Sequence, residues 1–334
     1  MTSPSIPEKS QWGQRIRQIL SIQEIGVIFI LIVMAFFFQI VTDNKFLTAD
    51  NIFSMMRAFS WIAVTGFGEL LVIIIAGIDL SAGSIMGLVG IITGMAIVNA
   101  GQPVWIGILI GVVSGMLIGL INGLLVAKGR LPAFIATLGM MSIGRGLCYG
   151  FTNGQPIQNF TKEFTFLGRA DIPIPGLERG VPLPVIFMII TAIIMGIFLS
   201  RTLWGYRIYA LGGNEQATAL SGVNVNRIKL LVFTLAGILA GLGGIMMTAR
   251  LGVADPNGAM GYELDVIAAV FIGGASTSGG SGSILGVLIG AAIMQILRTG
   301  LVIVGFPAYW QSAAIGLVII FALLLDQLRK QRQR

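Results

Sequence analysis

Few side chains in this 334-residue sequence could do chemistry. The densest group is Gly77-Ile78-Asp79-Leu80-Ser81-Ala82-Gly83-Ser84, which sets a carboxylate and two hydroxyls beside flexible backbone. Glu69, Asn122, Thr137, Arg145, Gln295 and Arg298 are further polar residues inside apolar runs, and Glu263 and Asp265 open another such run. Polar groups in apolar segments are expensive unless they face protein or water. Glu69, Asp79, Ser81, Ser84, Asn122, Thr137 and Gln295 are therefore the candidates for lining a route for a polar solute. Plainer alternatives stand beside that reading. Asp79 can cap the helix that follows it, where Asp and Ser are favoured. Arg145 can pair with Glu69 or another acid, and Glu263 and Asp265 can sit in interfacial water.

No catalytic constellation emerges. The sequence has no histidine, which removes imidazole triads, histidine zinc sites and imidazole proton relays. Its single cysteine, Cys148, excludes an internal disulfide and a multi-cysteine metal site. Cys148 lies in an apolar stretch and reads as a packed core thiol. There is no Gly-x-x-x-x-Gly-Lys-Ser/Thr phosphate loop, and no Gly-Lys dipeptide anywhere. The chain therefore cannot hydrolyse ATP by that machinery. No catalytic residue, metal site or cofactor of its own is expected.

The elements that must position these residues follow from composition. Charged residues make up 10% of the chain and hydrophobic residues 55%, with a mean hydropathy of +0.91. A soluble domain carries about 25% charged residues, so this chain must expose apolar surface to lipid. A helix needs about 20 apolar residues to cross a bilayer. Candidate spans fall near 25–41, 55–77, 83–99, 104–126, 131–151, 182–200, 229–250, 262–274, 283–300 and 308–326. The runs are continuous rather than alternating, which excludes a β-barrel. The expected fold is an all-α polytopic transmembrane bundle of about ten spans with a broken second span. Residues 1–24 are polar, and no small-residue cleavage site follows the first span, so that span is retained.

Orientation follows from the positive-inside bias. With both termini cytoplasmic, Lys9, Arg15, Arg17, Lys128, Arg130, Arg201, Arg207, Arg227, Lys229 and the tail Arg329, Lys330, Arg332 and Arg334 fall inside. The outside loops hold fewer cations (Lys45, Lys162, Arg169, Arg179), and Glu163, Asp171 and Glu178 offset them. The net charge of +7 is thus spread over short loops, not gathered into a face for nucleic acid. The domain reading is a cytoplasmic segment over 1–24, a membrane domain over 25–326 and a basic tail over 327–334.

Glycines mark the helix contacts. Gly107, Gly111, Gly115, Gly119 and Gly123 recur every four residues, and Gly282, Gly286 and Gly290 repeat the pattern. Small residues so spaced let helix backbones approach closely. Gly83-Ser84-Ile85-Met86-Gly87 is echoed by Gly282-Ser283-Ile284-Leu285-Gly286, each after a glycine-rich break. Such paired interruptions point to transporter architecture. The longest cytoplasmic loop, about 201–228, is the candidate docking surface, with Arg207, Asn214, Glu215, Gln216, Ala217, Leu220 and Gly222 as its candidate residues. Asn214 can cap a short amphipathic helix running to Leu220; the plainer alternative is an ordinary interfacial helix.

Several segments together resemble the ribose-type permease family of bacterial ABC importers. They are Ala76–Ser84, Asn122–Lys128, Pro132–Gly139, Ala210–Ala217, Gly261–Val270, Gly273–Thr277 and Tyr309-Trp310-Gln311, in order along most of the chain. Ala82 stands where Val is more usual, a conservative departure. The resemblance implies a dimer of permeases in the bacterial inner (plasma) membrane, importing a monosaccharide, ribose first. It implies cytoplasmic ATPase modules that use ATP and Mg, and an extracytoplasmic sugar-binding protein that delivers the solute. It also implies that 214–222 couples to the ATPase. The competing class is a self-powered secondary transporter, for which Glu69 and Asp79 would be the ion-coupling acids.

Overall fold

The computed structural model describes residues 22–173, 180–307, 310, 311, 313–317 and 320. Most of the 1–24 segment, most of the expected span over 308–326 and the tail 327–334 lie outside the described residues. In chain order the elements are α1 (Ile22–Val41), α2 (Ala49–Ile74), α3 (Ala82–Gly94), α4 (Val104–Ala127), α5 (Ala133–Thr152), α6 (Lys162–Arg169), β1 (Asp171–Ile172), β2 (Val181–Pro182), α7 (Leu183–Arg201), α8 (Leu203–Gly213), α9 (Glu215–Leu220), α10 (Val225–Leu251), α11 (Tyr262–Ile272) and α12 (Ile284–Ile303). A π-helical turn, Met95–Asn99, extends α3. The two short strands pair antiparallel, Asp171 opposite Pro182.

Among the described residues, six helices are long and apolar enough to cross a bilayer: α2, α3 with its π turn, α4, α7, α10 and α12. α1 adds a shorter apolar stretch, Gly26–Val41. The chain is thus a polytopic helical bundle. Two expectations are refined. α11 has 11 residues, about 16 Å of helix, roughly half of the hydrocarbon thickness, so the run over 262–274 does not cross alone. α2 runs unbroken for 26 residues, and the break falls between it and α3.

Burial explains the layering. α2 is buried at every position from Ser60 to Ile74, as expected of a helix that is apolar all round. It packs against α7, α10, α11 and α12, while α10 lies against α2, α3, α4 and α6. These two helices form the centre. The periphery leaves Phe36, Leu109, Leu117, Ile143, Ile190 and Ile194 exposed, an apolar surface suited to lipid.

The glycine stripes are the contact faces. All five glycines on α4 are buried, and a Cβ on Gly119 would fall 2.3 Å from the Phe233 carbonyl oxygen of α10. On α12, Cβ atoms on Gly286 and Gly290 would fall 2.1 Å from Gly273 O and 1.9 Å from Ala269 O. Backbone meets backbone at these places, which any side chain would prevent.

Both echoed Gly-Ser-Ile segments open helices after a break. The first break, residues 75–81, turns through Ala76 at φ +59°. The second, residues 273–283, turns through Gly274, Gly279, Gly280 and Gly282, all at positive φ. Ser283 then caps α12 by accepting the Gly286 amide at 2.9 Å.

Candidate functional site

The first break is held by a knot of buried side chains drawn from four elements. Asp79 Oδ1 accepts the Ser81 amide at 2.8 Å and the Ser81 hydroxyl at 2.5 Å. Ser81 Oγ in turn accepts Asn122 Nδ2 of α4 at 2.9 Å. Thr137 of α5 accepts the Leu80 amide at 3.1 Å, and its own hydroxyl reaches Ala133 O at 2.9 Å and Ile78 O at 3.1 Å. Glu69 of α2 accepts the Asp79 amide at 3.1 Å. Ser84 Oγ donates to Ser81 O at 2.8 Å. None of these six residues is more than 3% exposed.

The arrangement has a local cause. The break leaves the amides of residues 79–81 outside helical pairing, and buried amides need partners. Side chains supply them: Glu69 for Asp79, Thr137 for Leu80 and Asp79 for Ser81. Asp79 thus closes a turn onto Ser81 and does not cap α3, whose N-cap is Ser81 with no side-chain cap bond. Two acceptor oxygens in the knot, Glu69 Oε2 and Asn122 Oδ1, are buried without a hydrogen-bond donor among the described residues. Neither Glu69 nor Asp79 forms an ion pair there.

Some expected placements are corrected. Gln295 does not join the knot; it lies on α12 and donates to Thr299 at 2.8 Å. Arg145 takes another acid, Glu263, as its partner and not Glu69. It donates to Gly258 O at 2.7 Å and Ala259 O at 2.8 Å, with Glu263 at 3.8 Å. Asp265 is not in interfacial water but 1% exposed, paired with Arg298. Residue types alone could not separate a buried acid with a partner one helix away from an acid at the surface.

A cluster that sequence reasoning missed lies where α2 starts and α10 ends. Arg57, Arg169 and Arg250 line a cavity of about 400 Å³. Arg57 pairs with Asp171, Arg169 donates to Arg250 O and Leu251 O at 2.7 Å each, and Arg250 stacks over Trp61. Three guanidiniums thus line one cavity, of which Arg57 is the one paired with a carboxylate. The signal available beforehand was that Arg57 and Arg250 fall at span ends on the same expected side as Arg169.

The segment over 201–228 is mostly helical. Thr202 caps α8 and Asn214 caps α9, each accepting an amide three residues on, at 3.1 and 2.9 Å. α9 leaves Glu215, Gln216, Ala217 and Leu220 exposed, with Leu220 90% exposed. Glu215 pairs with Lys229 of α10 at 2.7 Å, Arg207 stacks over Trp204, and Gly222 ends the segment at φ +79°. A cavity of about 560 Å³ opens between this segment and the first break, lined by Gly77, Arg130, Pro132, Glu215 and Lys229. That volume falls within the roughly 300–1,000 Å³ of small-molecule sites.

Comparison with known proteins adds to this geometry. A family model described as branched-chain amino acid transport system / permease component matches residues 51–323. The ribose import permease protein RbsC of Escherichia coli K12 is 43% identical over 290 residues, covering 84% of this chain and 87% of its own. RbsC of Bacillus subtilis is 40% identical over 289 residues, covering 86% and 88%. The D-allose transport system permease protein AlsC of Escherichia coli is 37% identical over 303 residues, covering 91% of each chain. No solved structure matches. With six helices fit to span a membrane among the described residues and matches running over most of its length, the chain belongs to the monosaccharide permease family of bacterial ABC importers.

Proposed function

We propose that this chain forms the membrane path of an importer for a monosaccharide, ribose or a related pentose, driven by ATP hydrolysis in a separate subunit. The observation that carries the reading is the identity to ribose permeases, 40–43% over most of the chain. The knot around the first break supports it chemically. An uncharged sugar needs hydrogen-bonding groups rather than a charge lattice, and the free acceptors Glu69 Oε2 and Asn122 Oδ1 match donating hydroxyls. Glu69, Asp79, Ser81, Ser84, Asn122 and Thr137 hold the break closed; rearrangement there would present these groups to the solute. Gln295 contributes from α12, apart from the knot.

The membrane domain over 25–326 is polytopic, α11 crossing only part of the bilayer by itself, with both termini cytoplasmic. Two copies pair as a homodimer. α9, with Arg207, Asn214, Glu215, Gln216, Ala217, Leu220 and Gly222 around it, docks an ATPase that uses ATP and Mg, and Leu220 supplies the apolar anchor. The opposite end presents Arg57, Arg169 and Arg250 to acidic side chains of a sugar-binding protein. Nucleotide can drive transport only by binding two conformations of the assembly with different affinity.

The test is gentle solubilisation from native membranes, identification of copurifying proteins and reconstitution into liposomes. A phosphate-loop ATPase should copurify, and uptake of labelled ribose should require ATP and the binding protein. A chain that comes out alone and moves sugar without ATP would overturn the reading and make Glu69 and Asp79 ion-coupling candidates.

A further inference from the structure

We propose that Gly212 is the joint through which motion of α9 reaches both helix breaks, an inference that rests on the importer reading above. α9 has six residues and continues from α8 through Gly212-Gly213-Asn214. Force applied to α9 can pass back through this last turn of α8, alongside the Glu215–Lys229 tie to α10. Gly212 lies directly on the carbonyl of Ile74, the last residue of α2: a Cβ there would fall 1.7 Å from that oxygen and 2.6 Å from the Gly280 nitrogen. The same Ile74 oxygen accepts the Gly280 N–H at 2.8 Å. One peptide group thus joins the end of α2, the hinge of the coupling segment and the second break, with no side chain between them.

Other contacts brace the joint. Tyr209 of α8 donates its hydroxyl to Gly282 O at 2.7 Å. A Cβ on Gly279 would fall 2.8 Å from Ile74 O and 3.0 Å from Ala76 N. Ala76, two residues past Ile74, sits at φ +59°, a conformation that a residue with a Cβ keeps only when its surroundings impose it. Asp79 and the buried knot follow within the same break. Packed interiors transmit displacement because they have few voids to absorb it. A shift of the hinge therefore moves Ile74 and Gly280 together, and with them the polar first break and the glycine-rich second one.

The neighbouring glycine provides the internal control, since a Cβ on Gly213 meets nothing within 4 Å. The experiment uses the intact complex, this chain with its copurified ATPase and sugar-binding protein, in proteoliposomes. It measures labelled ribose taken up per ATP hydrolysed for wild type, Gly212→Ala, Gly213→Ala and Tyr209→Phe. Gly212→Ala must push the Ile74 carbonyl aside; where the complex assembles, it should still bind the ATPase and hydrolyse ATP while uptake per ATP falls about tenfold, a typical coupling between distant sites. Tyr209→Phe should lose about threefold, the scale of one hydrogen bond. Gly213→Ala should match wild type.

Hydrogen exchange separates coupling from simple damage. Nucleotide should change exchange at residues 75–81 and 279–283 in wild type and not in Gly212→Ala; a purely structural role would alter exchange equally with and without nucleotide. If Gly212→Ala does not assemble, Tyr209→Phe decides, and a wild-type ratio there overturns the joint. Unchanged ratios in both variants, or an equal loss in Gly213→Ala, also overturn it while leaving the importer reading intact. A wild-type complex without ATP-dependent uptake overturns both.

Discussion

The two helix breaks precede matching Gly-Ser-Ile segments yet are held by different means. Residues 75–81 are held by side chains: Glu69, Asp79 and Thr137 take up the free amides, and Asn122 ties Ser81 to α4. Residues 273–283 are held mainly by peptide groups, with four glycines at positive φ and direct backbone contact between α11 and α12, and side chains such as Tyr209 and Ser276 add single hydrogen bonds. Polar side chains can exchange partners at a net cost of about 1 kcal/mol per hydrogen bond. Close backbone contact has no such graded response, because a gap of even 1 Å forfeits much of the attraction. The first break is therefore the one whose bonds can be exchanged, and the second the one that yields least.

Substitutions can break that comparison. The largest effect belongs to Gly290→Val, which would force a Cβ to within 1.9 Å of Ala269 O. Overpacking of this kind costs about 3 kcal/mol or more, so the solubilised variant should melt many degrees lower or fail to elute as one species. A variant that melts normally would show that the second break is not locked by backbone contact. Next comes Ser81→Ala, which removes both the donor to Asp79 and the acceptor for Asn122. Stability should fall by about 2 kcal/mol, and ATP-driven ribose uptake should fall further than the melting shift explains. A double-mutant cycle with Asn122→Leu sharpens this: a coupling near 1 kcal/mol is expected for residues in one network, and additivity would dissolve the knot as a unit. The smallest effect is Thr137→Val, an isosteric change that strands the Leu80 amide. It should cost about 1 kcal/mol and raise the KM for uptake more than it lowers the maximal rate. An equal loss in both would assign Thr137 to the fold alone.

Much of the architecture was legible in the sequence because it is written in composition and spacing. Long apolar runs gave the helices, and the four-residue glycine period on α4 gave the face that meets α10. Asn214 announced α9, since a cap is a local signal. The seven polar candidates were legible as residues but not as a group. Nothing in the spacing of Asn122 or Thr137 says that they meet Ser81 and Leu80, whereas Gln295, equally polar and equally embedded, turns to Thr299 one helical turn away. The partners of Arg145 and Asp265 were illegible for the same reason, being set by which helices pack together. The contact of Gly212 with Ile74 leaves the faintest trace, because it involves no side chain. A glycine marks that something is close, never what.

Cys148 carries a consequence for watching this molecule move. Its sulfur is fully buried among Leu88, Ile91 and Ala254, and a Cβ on Gly87 of α3 would lie 3.7 Å from it. It is the chain's single thiol. A thiol reagent can reach it only when α3 or the Ala254 segment lifts away from α5, so its rate of alkylation is a clock for that opening. The native sequence thus contains its own reporter of the packing of α3, readable by mass spectrometry without an introduced label.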